Sequence, residues 1–354
     1  MDKIKVVKCD SYNIDEVYAA VKAAIDGIGG ILAFIKPNQK ILIKPNVLGD
    51  FKPDQAATTH PEIVRAVIRL VKEAGAFPSI GESPGFGSLD RFSRPTGIKK
   101  VSEEECVPLV EFITPKDVEF HDAKRFKSLT VASEIFEYDF IINLPKFKTH
   151  GLTGTTGAVK NLFGCVPGIL KSQYHFKIKT REYLVDLLHD LAKYIKPGLS
   201  IMDAVWAMEG EGGPSQGTPK HMGIVAASTD PFLLDEAFDK IINGIDVQGF
   251  SCPEFKKIEN IGEGIYHLPF PFMEKYLKRW FSEKPIINPK KCVNCGVCVQ
   301  VCAATALRKG KNIPKFDYDK CIRCFCCQEM CPERAIYIKR SIIGDYISKL
   351  LSRF

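Results

Sequence analysis

The chain has 354 residues, of which 45% are hydrophobic and 26% are charged, and its formal net charge is +7. This is the composition of an ordinary folded protein, and at roughly 150 residues per domain the length predicts two or three domains. No uncharged apolar run approaches the ~18 residues of a membrane helix, and the chain leads from Met1 directly into a strand-like segment. We therefore expect no membrane span, no signal peptide and a cytoplasmic location.

Residues 1–250 are expected to form an α/β domain. Short β-branched runs alternate there with amphipathic helical patterns, which is typical of a layered domain with a mainly parallel sheet. The predicted strands are 4–7, 40–43, 79–81, 138–143, 199–202 and 222–227. A capping box over 59–62 predicts the start of a helix that Gly75 ends, and further helices are predicted over 180–195 and 231–244.

Polar residues follow two of the predicted strands, at the edge where open α/β sheets bind ligands. Lys44 and Asn46 follow the strand over 40–43. After the strand over 138–143 come a polar segment and a Gly/Thr-rich turn that opens a helix; they contain Lys146, Lys148, His150, Gly151, Gly154, Gly157 and Lys160. Glycines let the backbone approach a ligand, and free N–H groups at a helix start attract anions. This predicts a carboxylate or phosphate site, with solvated surface lysines as the alternative.

Two histidines, His60 and His150, are candidate acid/base groups because a histidine pKa lies near neutrality, although a lone histidine is more often structural. Acidic residues near other strand ends and in a Gly-rich loop have turn capping as their alternative; these are Glu82, Asp203, Glu209 and Glu211. The sequence has no phosphate-binding loop, and the glycines at 85–87 lack the third glycine of a dinucleotide loop. Neither ATP nor NAD is expected.

Nine of the thirteen cysteines lie between residues 292 and 331. Eight of them form two copies of one spacing, Cys-x2-Cys-x2-Cys-x3-Cys, offset by 29 residues: Cys292, Cys295, Cys298, Cys302, Cys321, Cys324, Cys327 and Cys331. Three cysteines at this spacing wrap one face of a cubane, and the fourth reaches the other cluster. Zinc sites favour pairs of Cys-x2-Cys instead. The pattern predicts two 4Fe-4S clusters rather than zinc or a disulfide framework.

The positive charge is concentrated around these cysteines. Residues 285–340 contain 11 Lys and Arg against 4 Asp and Glu, which leaves 38 against 38 in the remainder. Two clusters with four thiolates each would formally add about −2 apiece. The basic surplus is therefore interpreted as a counter-charge for the cofactor, and we expect no nucleic-acid binding.

The boundaries follow from composition. A Pro-rich, aromatic linker is predicted over 251–285, the cysteine domain over 286–340, and an amphipathic helix that docks on the body over 341–354.

The cysteine domain resembles the bacterial two-cluster ferredoxin family over residues 286–339. The resemblance implies a small α+β ferredoxin-like fold. It also implies that one cluster is held by Cys292, Cys295, Cys298 and Cys331, and the other by Cys321, Cys324, Cys327 and Cys302. Two departures are Ala303, where that family has proline, and Cys326, a ninth cysteine interpreted as a buried spare thiol with a ligand role as the alternative.

The large domain resembles the domain of unknown function 362 family over about residues 35–245. The resemblance rests on Lys44-Pro-Asn46, Thr58-Thr-His-Pro61, Pro145-Lys-Phe-Lys-Thr-His150, Gly157-Ala-Val-Lys-Asn-Leu-Phe-Gly164, Met202-Asp203 and Met208-Glu-Gly-Glu-Gly212. This family is often fused to a ferredoxin module, but the resemblance implies no established reaction. A local similarity over 46–75 to nickel-dependent lactate racemase-like proteins covers one strand-turn-helix.

Our leading hypothesis is an iron-sulfur oxidoreductase that relays electrons between a redox partner protein and a small acidic substrate in the large domain. One alternative is a ferredoxin-type carrier whose large domain docks a partner enzyme. The other is a non-redox isomerase or ligase with structural or sensory clusters. Cys165 is the one isolated cysteine near the predicted site, and buried packing is its expected role.

Overall fold

The computed structural model describes residues 3–85, 87–168, 170–178, 181–210, 213–258 and 283–339. Within these ranges the large domain contains a nine-stranded sheet and a separate two-stranded hairpin, β5 with β6. Its strands are β1 Ile4–Lys8, β2 Lys40–Pro45, β3 Phe77–Glu82, β4 Leu109–Glu111, β5 Pro115–Glu119, β6 Ser128–Ala132, β7 Phe140–Leu144, β8 Lys146–His150, β9 Gly154–Thr156, β10 Leu199–Glu209 and β11 Thr218–Ser228.

The sheet is parallel in its centre and antiparallel at one side. Its order is β1-β11-β10-β7-β2-β3-β4, and β8 branches from β10 and carries β9. The strands from β10 through β7, β2 and β3 to β4 pair in parallel, whereas β11 pairs antiparallel with both β10 and β1. All six predicted strands are confirmed, and the large domain is of the α/β class with a mainly parallel sheet.

Helices cover both faces of this sheet. They are α1 Ile14–Asp26, α2 Pro61–Glu73, α3 Leu89–Ser93, α4 Ile98–Glu104, α5 Ala158–Asn161, α6 Leu170–Lys177, α7 Arg181–Ile195 and α8 Pro231–Ile242. Alternate side chains of strand β2 pack on opposite faces of the sheet. Ile41 and Ile43 pack in the core cluster that contains α1 and α2, whereas Leu42 packs in the cluster that contains α7. Each such buried side chain contributes about 1.5–3 kcal/mol, so the alternation of the strand fixes the two layers.

The predicted capping box at the start of α2 is wrong. The cap is His60, whose Nδ1 accepts a hydrogen bond from the backbone N–H of Glu62 at 3.2 Å. Thr59 instead donates its hydroxyl to the carbonyl of Leu144 at 2.6 Å and accepts the backbone N–H of Asn46 at 2.8 Å. Thr59 does not cap α2 because its hydroxyl is hydrogen-bonded to buried backbone groups at the ends of β2 and β7.

Strand β8 is not among the predicted strands; the sequence patterns describe residues 146–150 only as a polar segment that follows a strand. All five residues are buried, and β8 pairs in parallel with β10. Pro145 separates it from β7, since proline has no N–H to continue a ladder. Alternation along β8 puts Lys146, Lys148 and His150 on one face, and Phe147 packs on the other against Phe238 at 4.8 Å between ring centroids.

Residues 283–339 form a small α+β unit with a ferredoxin-like repeat. Its elements are β12 Lys284–Ile287, α9 Val297–Gln300, β13 Leu307–Arg308, β14 Lys315–Phe316, α10 Cys326–Glu329 and β15 Ile336–Lys339. The strands β12 and β15 pair antiparallel, as do β13 and β14. Left-handed φ angles recur at the 29-residue offset, at Asn294 and Arg323, Gly296 and Phe325, and Thr305 and Arg334. The two cysteine runs therefore share one backbone conformation.

The predicted linker and terminal helix fall largely outside the described residues. Of the linker, residues 259–282 lie outside them, while Phe255 packs on Phe147 of the large domain at 5.5 Å and β12 begins at Lys284. The helix predicted over 341–354 also lies outside them. In the part of the chain that is described, no helix has the length and apolar character to cross a membrane.

Candidate functional site

Three fully buried lysines occupy the carboxyl edge of the sheet. Lys44, Lys146 and Lys148 are each at most 2% exposed. Lys44 at the end of β2 pairs with Glu82 at the end of β3, with 2.7 Å between Nζ and Oε2. A Cβ at Gly164 would lie 2.0 Å from Glu82 Oε1 and 2.5 Å from Lys44 Nζ, so only glycine leaves room for this pair. The charge of Lys44 is therefore compensated within the protein.

Lys146 is compensated in the same way. Its Nζ lies 3.0 Å from Asp203 Oδ2 and donates to the hydroxyl oxygen of Tyr12 at 2.7 Å. The Tyr12 hydroxyl donates in turn to Asp203 Oδ1 at 2.7 Å, and the backbone N–H of His60 donates to Oδ2 at 2.9 Å. This network joins β8, β10, α2 and the start of the chain, which gives Asp203 a structural role.

The hydrogen-bond partners of Lys148 within the described residues are neutral. Its Nζ donates to Asn46 Oδ1 at 2.9 Å and to the carbonyl of Ala57 at 2.7 Å. Burial, and next the charge of Lys160, hold the pKa of Lys148 well below its usual range. Lys160 on α5 is partly buried, and burial also lowers its pKa. Neither lysine forms an ion pair with a carboxylate among the described residues, so a bound anion would stabilise both in their protonated forms.

A chain of three amides holds Lys148's partner in place. Asn46 Nδ2 donates to Asn161 Oδ1 at 3.1 Å, and Asn161 Nδ2 donates to Asn143 Oδ1 at 2.8 Å. Asn143 donates to the carbonyl of Ala158 at 3.0 Å. Because each side-chain amide in this chain is hydrogen-bonded, the amide of Asn46 is held in one orientation, with its Oδ1 directed at Lys148. Sequence reasoning found Asn46 but missed its two supporting asparagines.

His150 lies where the large domain meets the cysteine unit. It is 1% exposed, and its Nδ1 accepts the backbone N–H groups of Leu152 at 3.0 Å and Thr153 at 3.2 Å. The proton of the neutral ring therefore belongs on Nε2. Nε2 lies 2.8 Å from Glu329 Oε1, although the approach is too oblique for a well-formed hydrogen bond. Burial first, and then Lys160, lower the pKa of His150, so the ring is neutral near pH 7.

The second histidine has a different environment. The His60 ring stacks on Tyr12 with 3.5 Å between centroids, and its Nδ1 is occupied by the α2 cap. Burial lowers its pKa to about 4. His60 thus belongs to the Asp203 network, and a catalytic role for it stays a prediction.

The predicted anion site at the start of α5 is already occupied by the protein. The backbone N–H groups of Ala158 and Val159 donate to the carboxylate of Asp235 at 2.5 and 3.0 Å. A Cβ at Gly157 would lie 2.0 Å from Asp235 Oδ1, so this glycine admits a side chain of α8 rather than a ligand. Burial raises the pKa of Asp235 to about 7. The interpretation of a free helix start is therefore wrong.

The other predicted glycines also serve the fold. Gly154 begins β9 with a φ of 86°. Gly151 lies against the cysteine unit, where a Cβ would be 3.8 Å from Ile338. Two other residues named from the sequence also have structural environments. Glu209 accepts a hydrogen bond from the backbone N–H of Lys256 at 2.8 Å, and Cys165 is buried, which raises its pKa to about 12. Glu211 lies outside the described residues.

The carboxyl edge of the sheet is covered by α10 of the cysteine unit. Besides the contact of Glu329 with His150, Gln216 Nε2 donates to the carbonyls of Gln328 and Ile336, each at 3.1 Å. Met330 packs against Gly85, where a Cβ would be 3.5 Å from the sulfur. Glu329 and Cys326 are also close enough to oppose the lowering of the Lys160 pKa. The helix that carries Cys327 thus forms a wall of the lysine site.

Four thiols of the first predicted set surround one cavity. Cys292, Cys295, Cys298 and Cys331 all line it. They bring four sulfur ligands together, the number that one cubane takes. Burial, followed by the charges of the other three thiols, raises the pKa of Cys298 to about 11. Four thiolates are stable together here only around a group of high positive charge, which fits an iron-sulfur cubane.

The second set has a matching arrangement. Cys327 is buried, and after burial the charges of Cys324, Cys321, Cys298 and Cys302 raise its pKa. The backbone N–H of Ala306 donates to Cys302 Sγ at 3.3 Å, and that of Ala335 donates to Cys331 Sγ at 3.2 Å. Such bonds to the fourth cysteine of each run stabilise thiolate charge, so the donor set fits a second cubane.

Cys326, which the sequence pattern predicts to be a buried spare thiol, is buried beside Cys324, and its hydrogen bond with Cys324 and its burial raise its pKa well above the usual range. One further residue was missed by sequence reasoning. Lys171 of α6 donates to the carbonyl of Ser83, and burial lowers its pKa to about 7. No sequence signal distinguishes Lys171 from a surface lysine.

Comparisons with known proteins match two parts of the chain to described families. Residues 41–238 match the family described as "Domain of unknown function (DUF362)", and residues 284–332 match the 4Fe-4S dicluster domain. A thylakoid-associated protein of Synechocystis sp. is 37% identical over 240 residues, which cover 68% of this chain and 74% of that protein. The lactate racemase apoprotein of Thermoanaerobacterium thermosaccharolyticum aligns with a TM-score of 0.40 and 14% identity, over 65% of this chain and 55% of its own. The chain therefore belongs to the DUF362 family, with a 4Fe-4S dicluster domain following the family domain.

Proposed function

We propose that this protein is an iron-sulfur oxidoreductase whose substrate is a small anion bound between Lys148, Lys160 and His150. The observation that carries the proposal is the position of α10. This helix bears Cys327 and Glu329, and Glu329 Oε1 lies 2.8 Å from His150 Nε2. Helix α10 therefore borders both a set of cluster cysteines and the buried lysine site.

Two 4Fe-4S clusters would be held by the cysteine sets described above, Cys292, Cys295, Cys298 and Cys331 for one and Cys302, Cys321, Cys324 and Cys327 for the other. When bound, such clusters supply electrons one at a time. The second set lies on the α10 side, next to the lysine site.

The anion-binding groups are Lys148 and Lys160. Lys148 is held by Asn46 Oδ1 and the Ala57 carbonyl, so it is oriented before a ligand arrives. A carboxylate or phosphate would raise the lowered pKa of both amines and so bind them as ammonium groups. Lys44 and Lys146 support the fold, because each is already paired with a carboxylate.

His150 is placed to orient the anion. Its Nδ1 is fixed as an acceptor, so the proton of the neutral ring lies on Nε2, on the side of Glu329 and Lys160, and would be donated as a hydrogen bond to the substrate. The proton that a reduced substrate takes up would come from the ammonium group of Lys148 or Lys160, because burial lowers the pKa of both amines and so favours their release of a proton.

The test is anion binding by anaerobically purified protein with its clusters intact. Titration calorimetry with inorganic phosphate and with acetate probes the two anion classes, and mass spectrometry identifies small molecules that co-purify. We expect Lys148→Met to weaken binding at least tenfold and the exposed-lysine control Lys40→Met to leave it unchanged. Equal affinity of the wild type and Lys148→Met would remove this site assignment.

The alternatives predict different results. A carrier that only docks a partner enzyme would bind neither probe and would co-purify with a protein. A non-redox isomerase or ligase would turn over at a rate independent of the oxidation state of its iron. A cytoplasmic location remains a prediction, and the Synechocystis sp. relative is named for association with thylakoids.

A further inference from the structure

The two halves of the cysteine unit share a backbone conformation, but among the described residues the second half makes the contacts with the large domain. In the second half, Glu329 contacts His150 and Met330 contacts Gly85. The residue 29 positions before Glu329 is Gln300, which is exposed, whereas Val301, 29 positions before Met330, is buried. Because the folds of the halves match, differences between equivalent residues report the different surroundings of each half.

The first half faces solvent. Val293 is 62% exposed, whereas its equivalent Ile322 is 38% exposed. Cys295 is exposed, whereas its equivalent Cys324 is half-buried. The cluster-binding loop of the first half is therefore the more accessible of the two.

Exposed lysines surround this loop. Lys290 and Lys291 precede Cys292 directly, and both are exposed. Asn294 Nδ2 donates to the Gly310 carbonyl at 3.3 Å, which brings a second basic segment containing Lys309 and Lys311 against the loop.

One acidic residue, Glu333, is exposed at the same cavity. The residues equivalent to Lys290 and Lys291 in the covered half are Asp319 and Lys320, so the paired positive charge belongs to the exposed half alone.

We propose that this basic face, formed by Lys290, Lys291, Val293, Lys309 and Lys311, docks a small acidic protein that carries one electron. The inference rests on the proposed function and names the source of its electrons. In each encounter the carrier is oxidised by one electron, which passes to the iron bound in the exposed half, and no proton or covalent bond is transferred. Two encounters supply the pair of electrons for a two-electron reduction.

Charge complementarity sets the expected behaviour. Opposed patches of charge accelerate association by 10-fold to 1000-fold at low ionic strength, and added salt removes the effect. The Debye length falls from about 10 Å at 0.1 M salt to about 3 Å at 1 M. Binding of an acidic carrier should therefore be strong at low salt and weak at high salt.

The test uses the full chain with its clusters and an acidic single-cluster ferredoxin, which carries one electron, as the probe carrier. Calorimetry measures the Kd with oxidised carrier, and anaerobic stopped-flow absorbance measures reduction by reduced carrier. The variant is Lys290→Glu with Lys291→Glu. The matched control is Lys36→Glu with Lys40→Glu, two exposed lysines at the opposite edge of the sheet.

At low salt we expect the variant to bind at least tenfold more weakly and to be reduced at least tenfold more slowly, with the control unchanged. The cationic methyl viologen radical should reduce the variant no more slowly than the wild type. If the pair loses iron, Lys309→Glu with Lys311→Glu decides the question. An unchanged Kd, or an equal loss in the control, would overturn the proposal. Lys148→Met should bind the carrier with an unchanged Kd. Loss of carrier binding can therefore be distinguished from loss of anion binding.

Discussion

The ion pair of Lys146 with Asp203 gives a direct test of how the site is built. Both side chains are almost fully buried, and Asp203 also accepts hydrogen bonds from Tyr12 and from the backbone of His60. Asp203→Asn keeps the shape and removes the charge. Leaving a buried cation without its partner costs about 3–5 kcal/mol, so we expect the free energy of unfolding to fall by about that amount at pH 6.

The loss should depend on pH. Burial already lowers the pKa of Lys146, and Asp203 is the group that opposes this lowering. Without Asp203 the folded state binds fewer protons than the unfolded chain at all pH values between the lowered pKa and the usual value near 10.5. Stability of the variant therefore rises with pH through this window, and its deficit should shrink by pH 9.

The assay is urea unfolding followed by circular dichroism at pH 6 and pH 9. Asp203→Asn combined with Lys146→Met should recover most of the loss, because replacing both members of a buried pair is often nearly neutral. Asp10→Asn is the control, since Asp10 pairs with Lys8 on the surface at 2.8 Å. The buried ion pair would not be the cause if Asp203→Asn lowered the free energy of unfolding no more than Asp10→Asn does. The same conclusion would follow if the double variant recovered none of the lost stability.

Other predictions concern the cap, a buried acid and the clusters. His60→Ala should destabilise the protein by about 1 kcal/mol in urea unfolding and His60→Asn by less, because asparagine also caps helices; equal losses would contradict the cap. The pKa of Asp235 is raised from 3.8 to about 7, so its stabilising contribution is present at low pH and is lost as pH rises toward 7; Asp235→Asn should flatten that part of the pH–stability curve, and an unchanged slope would contradict it. Cys331→Ser should lower the iron count from about eight and broaden the cluster signals more than Cys106→Ser, an exposed cysteine outside both sets, and equal iron contents would contradict the ligand assignment.

The layers of the fold could be predicted because they depend on local patterns. Apolar runs such as 40–43 and 222–227 identify strands, and apolar residues spaced three and four apart identify α7 and α8. Strand β8 could not be predicted in this way. Its inward face is made of Lys146, Lys148 and His150, and these are buried through partners that are distant in sequence.

The roles of the site residues could not be predicted from local patterns either. The lysines could be identified as a group, but their different roles depend on Glu82, Asp203 and Asn46, each of which is brought close only by folding. The start of α5 resembled an anion site because its partner Asp235 lies 77 residues away from Ala158. The contact of Glu329 with His150 joins two domains, so no single segment could indicate it.

The proposed anion site adjoins α10, which carries Cys327 of the second set of cluster ligands. If an anion binds there, it should affect that cluster more than the other, which electron paramagnetic resonance of the reduced protein can measure with and without inorganic phosphate. We predict that phosphate changes the signal or midpoint potential of one cluster, leaves the other unchanged, and has no effect in Lys148→Met. Phosphate binding that alters neither cluster signal in the wild type would contradict the account.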